Sequence, residues 1–390
     1  MTTGPAATES VWSGLVGQKS LIGTLQRAVE GTEMSHAWLF TGPPGSGRSN
    51  AAMAFAAALQ CEQGGCGGCL ACRTALVGSH ADVSVTRTEK LSIGVDEVRD
   101  LVRRASLAPV GHRWQVMVVE DADRLTDQAA NALLKTIEEP TERTVWLLCA
   151  PTVEDVLPTI RSRCRLVVLR TPGSSDVAEF LSRRDGVPEG LASFAARASQ
   201  GHIGRARALA RDEGTRNRRH EVVSKPPHLN TLGDCMNAAA NLFDTTKEEA
   251  EVITAALDSD EKRDLDASYG VVERGRRPRS YAPALKDLEK GQKLRAKRRH
   301  LDVIDRGLMD MVSVYRDAIA RQTGARVDLV NEEMRKEIDE LARRSTPEEN
   351  LRRIDAIFAA RENLLEFNAA PLLALESMML ALRVRSSHLG

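Results

Sequence analysis

Ser35-His-Ala-Trp-Leu-Phe-Thr-Gly-Pro-Pro-Gly-Ser-Gly-Arg-Ser-Asn50 decides the fold. Trp38, Leu39 and Phe40 make a short buried-strand run, and the Ala-rich segment from Arg48 to Leu59 reads as a helix. Between them, Gly42-Pro43-Pro44-Gly45-Ser46-Gly47-Arg48-Ser49 matches the phosphate-loop spacing G-x-x-x-x-G-K-[ST] at every place but one. The glycines let backbone N–H groups curl round an anion, and the helix that follows aims its positive end at the same point. The letters alone also suit a plain Gly/Pro turn; the flanking strand and helix favour the phosphate loop. The exception is Arg48, where the loop calls for lysine. Arginine keeps the charge but is planar and forked, so the exchange is not conservative at a tight site.

Working outward, strands alternate with helices as far as about residue 170. Ala81 to Val85 alternates as a strand, and Val95 to Leu107 is an amphipathic helix with Val98, Leu101 and Val102 on one face. Val116-Met-Val-Val119 is a buried strand followed at once by Glu120-Asp-Ala-Asp123. Gln128 to Glu139 is a helix stopped by Pro140, and Val145 to Cys149 and Leu166 to Leu169 are further buried strands. This alternation predicts a parallel α/β sheet. Pro172-Gly-Ser-Ser175 reads as a linker with Ser175 or Asp176 capping the next helix. Beyond it the pattern is helical to the end. The expected domains are an α/β domain over 1–171, a small helical lid over 172–215 and an all-helical domain over 216–390. The last contains an acidic stretch, Glu248 to Asp266, and two basic ones, Arg274 to Arg279 and Lys290 to Arg299. These read as solvated faces, because nucleic-acid readers of single strands interleave aromatics with their charges.

Composition narrows the function classes. The 390 residues exceed one ordinary domain, and 54 basic against 54 acidic side chains exclude a global polyanion-binding surface. Met1 to Val11 lacks a basic segment followed by an apolar run, and no apolar run is long enough to span a bilayer, so a cytoplasmic protein is expected. Seven cysteines in such a chain direct attention to metal rather than disulfides. Cys61-x4-Cys66-x2-Cys69-x2-Cys72 offers four thiolates for one closed, tetrahedral and therefore structural zinc site. Gly64, Gly65, Gly67 and Gly68 supply the backbone freedom of a tight knuckle. The alternative is four unligated thiols in a loop. Cys149, Cys164 and Cys235 are isolated and read as packing residues.

Together, the phosphate loop, the inserted four-cysteine module, Val116 to Arg124, Asn131-Ala-Leu-Leu-Lys-Thr-Ile-Glu-Glu-Pro140 and Ser162-Arg163-Cys164 resemble the clamp-loader subunits of bacterial DNA polymerase III, an AAA+ family. The resemblance covers about residues 12 to 210, and within the family it is strongest to the delta-prime type. It implies a member of a hetero-oligomer with gamma/tau and delta subunits that loads the sliding clamp onto primed DNA. It implies ATP or ADP with Mg²⁺ as the ligand of the loop, and Glu120, Asp121 and Thr152 as nucleotide-side residues beside Gly42 to Ser49. It also implies that Arg163 acts in trans on a neighbour's nucleotide.

Three departures separate this sequence from the family's hydrolysing members. Arg48 replaces the lysine. The carboxylate pair after the apolar strand is Glu120-Asp121, with side-chain lengths exchanged relative to the usual Asp-Glu. In Gly201-His-Ile-Gly-Arg205, the family's arginine position holds Gly204, and Arg205 lies one step, about 100°, further round the helix. Efficient hydrolysis by this chain is therefore not expected. Two other functions compete: an active ATPase of the gamma/tau kind, and a zinc-containing DNA-binding protein whose loop is vestigial. Single residues have plainer readings too. Arg163 is flanked by Arg161 and Arg165 as a surface charge would be, Thr152 suits a local cap, and Ser92-Ile-Gly94 opens a helix either as a cap or as a phosphate contact.

Overall fold

Alternate residues of the central strands turn to opposite sides and bury there, and this builds three layers. The computed structural model describes residues 10–88, 92–111, 113–269, 278, 280–367 and 369–383. The chain separates into two compact units, Met1–Arg211 and Asp212–Gly390.

In the first unit a 3-10 turn at Val11–Gly14 precedes α1 (Lys19–Val29), β1 (Ala37–Thr41), α2 (Arg48–Gln60) and α3 (Leu70–Leu76). Then follow β2 (Val83–Thr86), α4 (Val95–Ala105), β3 (Gln115–Val119), α5 (Asp127–Glu138), β4 (Thr144–Ala150), α6 (Pro158–Arg161) and β5 (Arg165–Val168). The five strands form one parallel sheet in the order β2-β3-β4-β1-β5. Trp38 and Phe40, Val116 and Val118, and Val145, Leu147 and Cys149 face α2 and the cysteine module. Ala37 and Leu39, Met117 and Val119, and Trp146 and Leu148 face α4 and α5. With both faces covered, the strands need continuous apolar runs, which is why they were legible as such. The buried Gln18 side chain donates to the Arg170 carbonyl at 2.7 Å and so ties the entry of α1 to the segment just after β5.

Helices α7 (Ser174–Asp185), α8 (Glu189–Ser199) and α9 (Ile203–Arg211) complete the first unit around their own small core of Val177, Leu181, Ala195 and Leu209, joined by Val16. Ser175 and Asp176 do not cap α7. The helix begins at Ser174 with Gly173 at the cap position, so both fall inside its first turn.

The second unit opens with Asp212, whose carboxylate accepts from the Gly214 and Thr215 amides at 3.1 and 2.8 Å and starts α10 (Glu213–Ser224). Two long helices follow, α11 (Leu232–Ser268) and α12 (Tyr281–Thr323), then α13 (Arg335–Arg343), α14 (Pro347–Leu365) and α15 (Pro371–Leu382). Their shared core is Leu, Ile, Met and Ala, with Tyr315 as a fully buried aromatic. The basic stretch Arg274 to Arg279 lies, apart from Pro278, outside the described residues. Among the described residues no helix is long and apolar enough to cross a membrane.

One buried carboxylate organises the turn after α12. Asp317 accepts from the Val330 amide at 3.0 Å, and from the Asn331 amide and side chain at 2.8 and 2.9 Å. Burial pushes its pKa up, and those donors work in the opposite direction. Asp317→Ala would strand these buried donors. It should lower unfolding stability by about 3 kcal/mol or more, read from denaturant titration; a loss below about 1 kcal/mol would show that the turn does not depend on Asp317.

Candidate functional site

The phosphate loop joins β1 to α2 at the C-terminal edge of the sheet, the usual place for a ligand in a parallel fold. The Gly42 amide donates to the Pro151 carbonyl at the end of β4 (3.1 Å), and the Ser46 amide to the Pro43 carbonyl (3.0 Å). Gly45 and Gly47 take left-handed conformations, φ +84° and +92°. Arg48 does not extend across the loop: its guanidinium donates back to the Gly42 carbonyl. Burial works against its charge, and Asp123, Asp121 and Asp155 are carboxylates that support it. The Ser46 hydroxyl is buried and has no hydrogen-bond partner among the described residues.

His202, in the Gly201-His-Ile-Gly turn before α9, lies against the loop. A Cβ built on Gly45 would stand 2.3 Å from His202 Cγ, so the imidazole occupies the space above Gly45. The ring is oriented by the Arg205 amide, which donates to Nδ1 at 3.2 Å. Gly201 permits the approach: it has φ +87°, and a Cβ there would meet Thr171 Cγ2 at 2.3 Å. Gly204 opens α9 beside the same ring, and Arg205 is half-buried. Sequence reasoning weighed this turn only for its arginine and missed the histidine. The available signal was a glycine on each side of the contact.

Glu120 and Asp121 follow β3 directly, on the far side of β4 from the loop strand. Glu120 pairs with Arg87 at 2.9 Å, a partner the sequence reading did not find. Burial raises its pKa, Arg87 opposes that, and Asp121 adds to it. Thr152 is exposed after β4, and its amide is held by the Asp155 carboxylate at 2.8 Å, so the Thr152–Asp155 turn is locally capped.

Arg163 lies just past α6. Its guanidinium donates to the Thr159 carbonyl (2.7 Å) and Ser162 Oγ (3.2 Å) and pairs with Glu138 at 2.7 Å. The side chain is 38% exposed. Gly94 caps α4, where Glu97 closes a capping box on the Gly94 amide, and Ile93 is fully buried. That arrangement accounts for Ser92-Ile-Gly94 as a helix start.

The cysteine module joins α2 to α3. Cys61, Cys66, Cys69 and Cys72 place their sulfurs within 4.8 Å of one another, and the Cys61–Cys69 separation is 3.8 Å. Four sulfurs at about 2.3 Å from one tetrahedral ion stand about 3.8 Å apart, so the cluster fits a single metal ion. The amides of Cys66, Cys69 and Cys72 each point at the preceding cysteine's sulfur, at 3.4 Å. Burial pushes the Cys61 thiol up, but the amides of Cys66, Gly65 and Gln63 outweigh it and bring it down to about 6. Cys72 is pushed up, chiefly by burial. The module also holds the chain's entry: the Val11 amide and Ser10 hydroxyl both donate to the Gly65 carbonyl at 3.1 Å. A Cβ on Gly65 would collide with Val11. Cys149 and Cys235 are buried, and Cys164 packs against the α4/α5 side of the sheet.

A parallel α/β domain with a phosphate loop, a metal-type cysteine knuckle and a second, all-helical unit defines the class. Family profiles described as "DNA polymerase III, delta subunit" and "DNA polymerase III, delta subunit, C terminal" match residues 17–173 and 306–383. The chain belongs to the clamp-loader subunits of DNA polymerase III, and within them it stands with the delta-prime type. It is 40% identical over 156 residues to DNA polymerase III subunit delta' of Pseudomonas aeruginosa, covering 38% of this chain and 47% of the relative. It is 37% identical over 180 residues to subunit delta' of Escherichia coli, covering 45% and 54%. Subunit gamma/tau of Mycobacterium tuberculosis is 38% identical over 154 residues, covering 38% of this chain and 27% of the relative. The matches thus span about half the length of these delta-prime relatives and about a quarter of gamma/tau.

The packing of His202 on the loop is open to test. Gly45→Ala should cost about 1–3 kcal/mol, from the left-handed φ and from displacing the imidazole. His202→Ala in the same chain should recover the steric part and leave the conformational part. Additive losses in a double-mutant cycle would mean that the two residues do not touch.

Proposed function

We propose that this chain is a clamp-loader subunit that keeps its own nucleotide loop closed and offers Arg163 to a neighbouring ATPase subunit of the gamma/tau kind. In that assembly, with a delta subunit, it acts in placing the sliding clamp on primed DNA during cytoplasmic replication. The observation that carries the reading is the closed AAA+-type loop. Arg48 donates to Gly42, and His202 fills the space over Gly45. A group spent on the loop's own carbonyl is not positioned on a phosphate, and the exchanged carboxylate Glu120 is held by Arg87. ATP or ADP with Mg²⁺ would have to displace these contacts, and this chain alone turns ATP over inefficiently.

Arg163 is in the opposite situation. Its contacts are local and half-exposed, and a surface ion pair such as that with Glu138 contributes only about 0–1 kcal/mol. Exchanging it for a bidentate bond to phosphate oxygens, away from water, is favourable. The guanidinium would then stabilise charge that develops during transfer at the neighbouring site, an effect of about 10³–10⁵ in rate for arginines acting in trans. Arg163→Ala should leave the melting of the free subunit nearly unchanged, within about ±0.5 kcal/mol. It should slow DNA-stimulated ATP turnover of the reconstituted complex, with Arg163→Lys intermediate because a point charge lacks the fork. If the Ala complex assembles and turns over like wild type, the trans-acting role fails.

The cysteine cluster is proposed as a structural zinc site. Four thiolates suit zinc and leave no open coordination position, so the ion would brace the α2–α3 turn and, through Gly65, the entry of the chain. Metal analysis should give about one zinc per chain, and chelation should lower the melting temperature. Metal-free protein with four titratable thiols and unchanged melting would rule the site out.

A further inference from the structure

Beyond the core of the second unit, α11 and α12 continue side by side as an arm. Core packing on α11 ends at Leu242 and on α12 begins at Leu301, and from Leu242 to Ser268 a helix extends about 40 Å. The two helices are joined there by ring contacts, Phe243 on His300 and Tyr269 on Tyr281, and by polar contacts. Thr246 Oγ1 lies 3.1 Å from His300 Nε2, Arg295 donates to Asp258 at 3.1 Å and to Glu261 at 2.8 Å, and Tyr281 donates to Asp266 at 2.6 Å. The acidic stretch Glu248 to Asp266 and the basic stretch Lys290 to Arg299 are therefore the two sides of one antiparallel hairpin. Most of this arm lies between the regions matched by the two family profiles, 17–173 and 306–383.

The basic side divides its charges. Arg295 is buried and committed to Asp258 and Glu261. Lys286, Lys290, Lys293 and Lys297 are all exposed, and Lys297 is itself engaged by a neighbouring group. They recur at i, i+4, i+7 and i+11, which places them within about 60° of one another round the helix and along about 16 Å of its length. Asp287 and Glu289 are the acidic residues of the same stretch, and both are exposed. The result is about one outward ammonium per turn on a side of α12 turned away from Arg295.

We infer that this lysine stripe is a docking surface for the phosphate backbone of duplex nucleic acid. A row of regularly spaced point charges on flexible stems suits a regular row of phosphates, and contacts of this kind position a duplex without reading its bases. Single-strand binding adds aromatic side chains on which bases stack, and the stripe carries none. The inference goes beyond the reading of Arg163 and stands independently of it, since the arm and the Arg163 turn lie in different units.

The test uses the full chain and a short fluorescent DNA duplex of arbitrary sequence, with binding followed by anisotropy across a salt series. The variant replaces all four lysines, Lys286→Gln, Lys290→Gln, Lys293→Gln and Lys297→Gln together, and circular dichroism and melting confirm its fold. The wild-type chain should bind at low salt with a steep salt dependence. The variant should lose at least about tenfold in affinity, and its slope of log K against log salt should flatten by about 3–4. Four Lys→Arg replacements at the same positions should restore both. No duplex binding by wild type, an unchanged slope in the Gln variant, or equal affinity for polyglutamate of similar charge would each overturn the inference.

Discussion

The contact between Gly45 and the His202 imidazole is the constraint on which the closed form of the phosphate loop depends. Both backbones must lack obstruction for it to form. Gly45 has no Cβ to block the ring, and Gly201 lets the turn before α9 come close to Thr171. Once the ring is seated, helices α7 to α9 are fixed on the α/β sheet region through the loop itself, beside the core that Val16 shares with Val177 and Leu181. Arg48 is then turned onto Gly42 rather than outward. Anion binding by such a loop needs free amides facing the ligand, and here the Ser46 amide is engaged with Pro43. Loop, lid and arginine thus describe one closed arrangement.

The rest of the first unit supplies a rigid frame for that closure. Continuous apolar strands buried on both faces hold the loop at the sheet edge, and Gln18 locks the far side of β5. The cysteine knuckle serves the opposite end of α2. Its Gly65 carbonyl takes two hydrogen bonds from Ser10 and Val11, so a short metal-type turn secures the segment whose Val11, Trp12 and Leu15 enter the core. Arg163 belongs to neither network. It sits on a short exposed turn, bonded to the Thr159 carbonyl and paired with Glu138.

Much of this was legible in the residues. Val116 to Val119 and Val145 to Cys149 are fully buried strands, and uninterrupted apolar runs have few other outcomes. The four cysteines declared their cluster by spacing, and Gly94 declared a helix start. What escaped was set by tertiary approach. No local pattern couples Gly45 to His202, Glu120 to Arg87 or Asp317 to the turn at Val330–Asn331. The charged stretches misled for a related reason. Read singly, Glu248 to Asp266 and Lys290 to Arg299 are solvated faces; only the antiparallel pairing of α11 and α12 shows that part of each run neutralises the other. The cap of α7 was misplaced because Gly173, without a side chain, ends the linker two to three residues earlier than the Ser and Asp suggested.

The central claim is that this chain closes its own loop and acts on its neighbour's nucleotide through Arg163. A structure of the reconstituted clamp loader with a non-hydrolysable ATP analogue tests it most directly. The account predicts the Arg163 guanidinium within about 3 Å of the neighbour's γ-phosphate, and His202 still seated on Gly45 with Arg48 on Gly42. An analogue bound in this chain's own loop with Arg48 on its phosphates, and Arg163 still paired with Glu138, would contradict it.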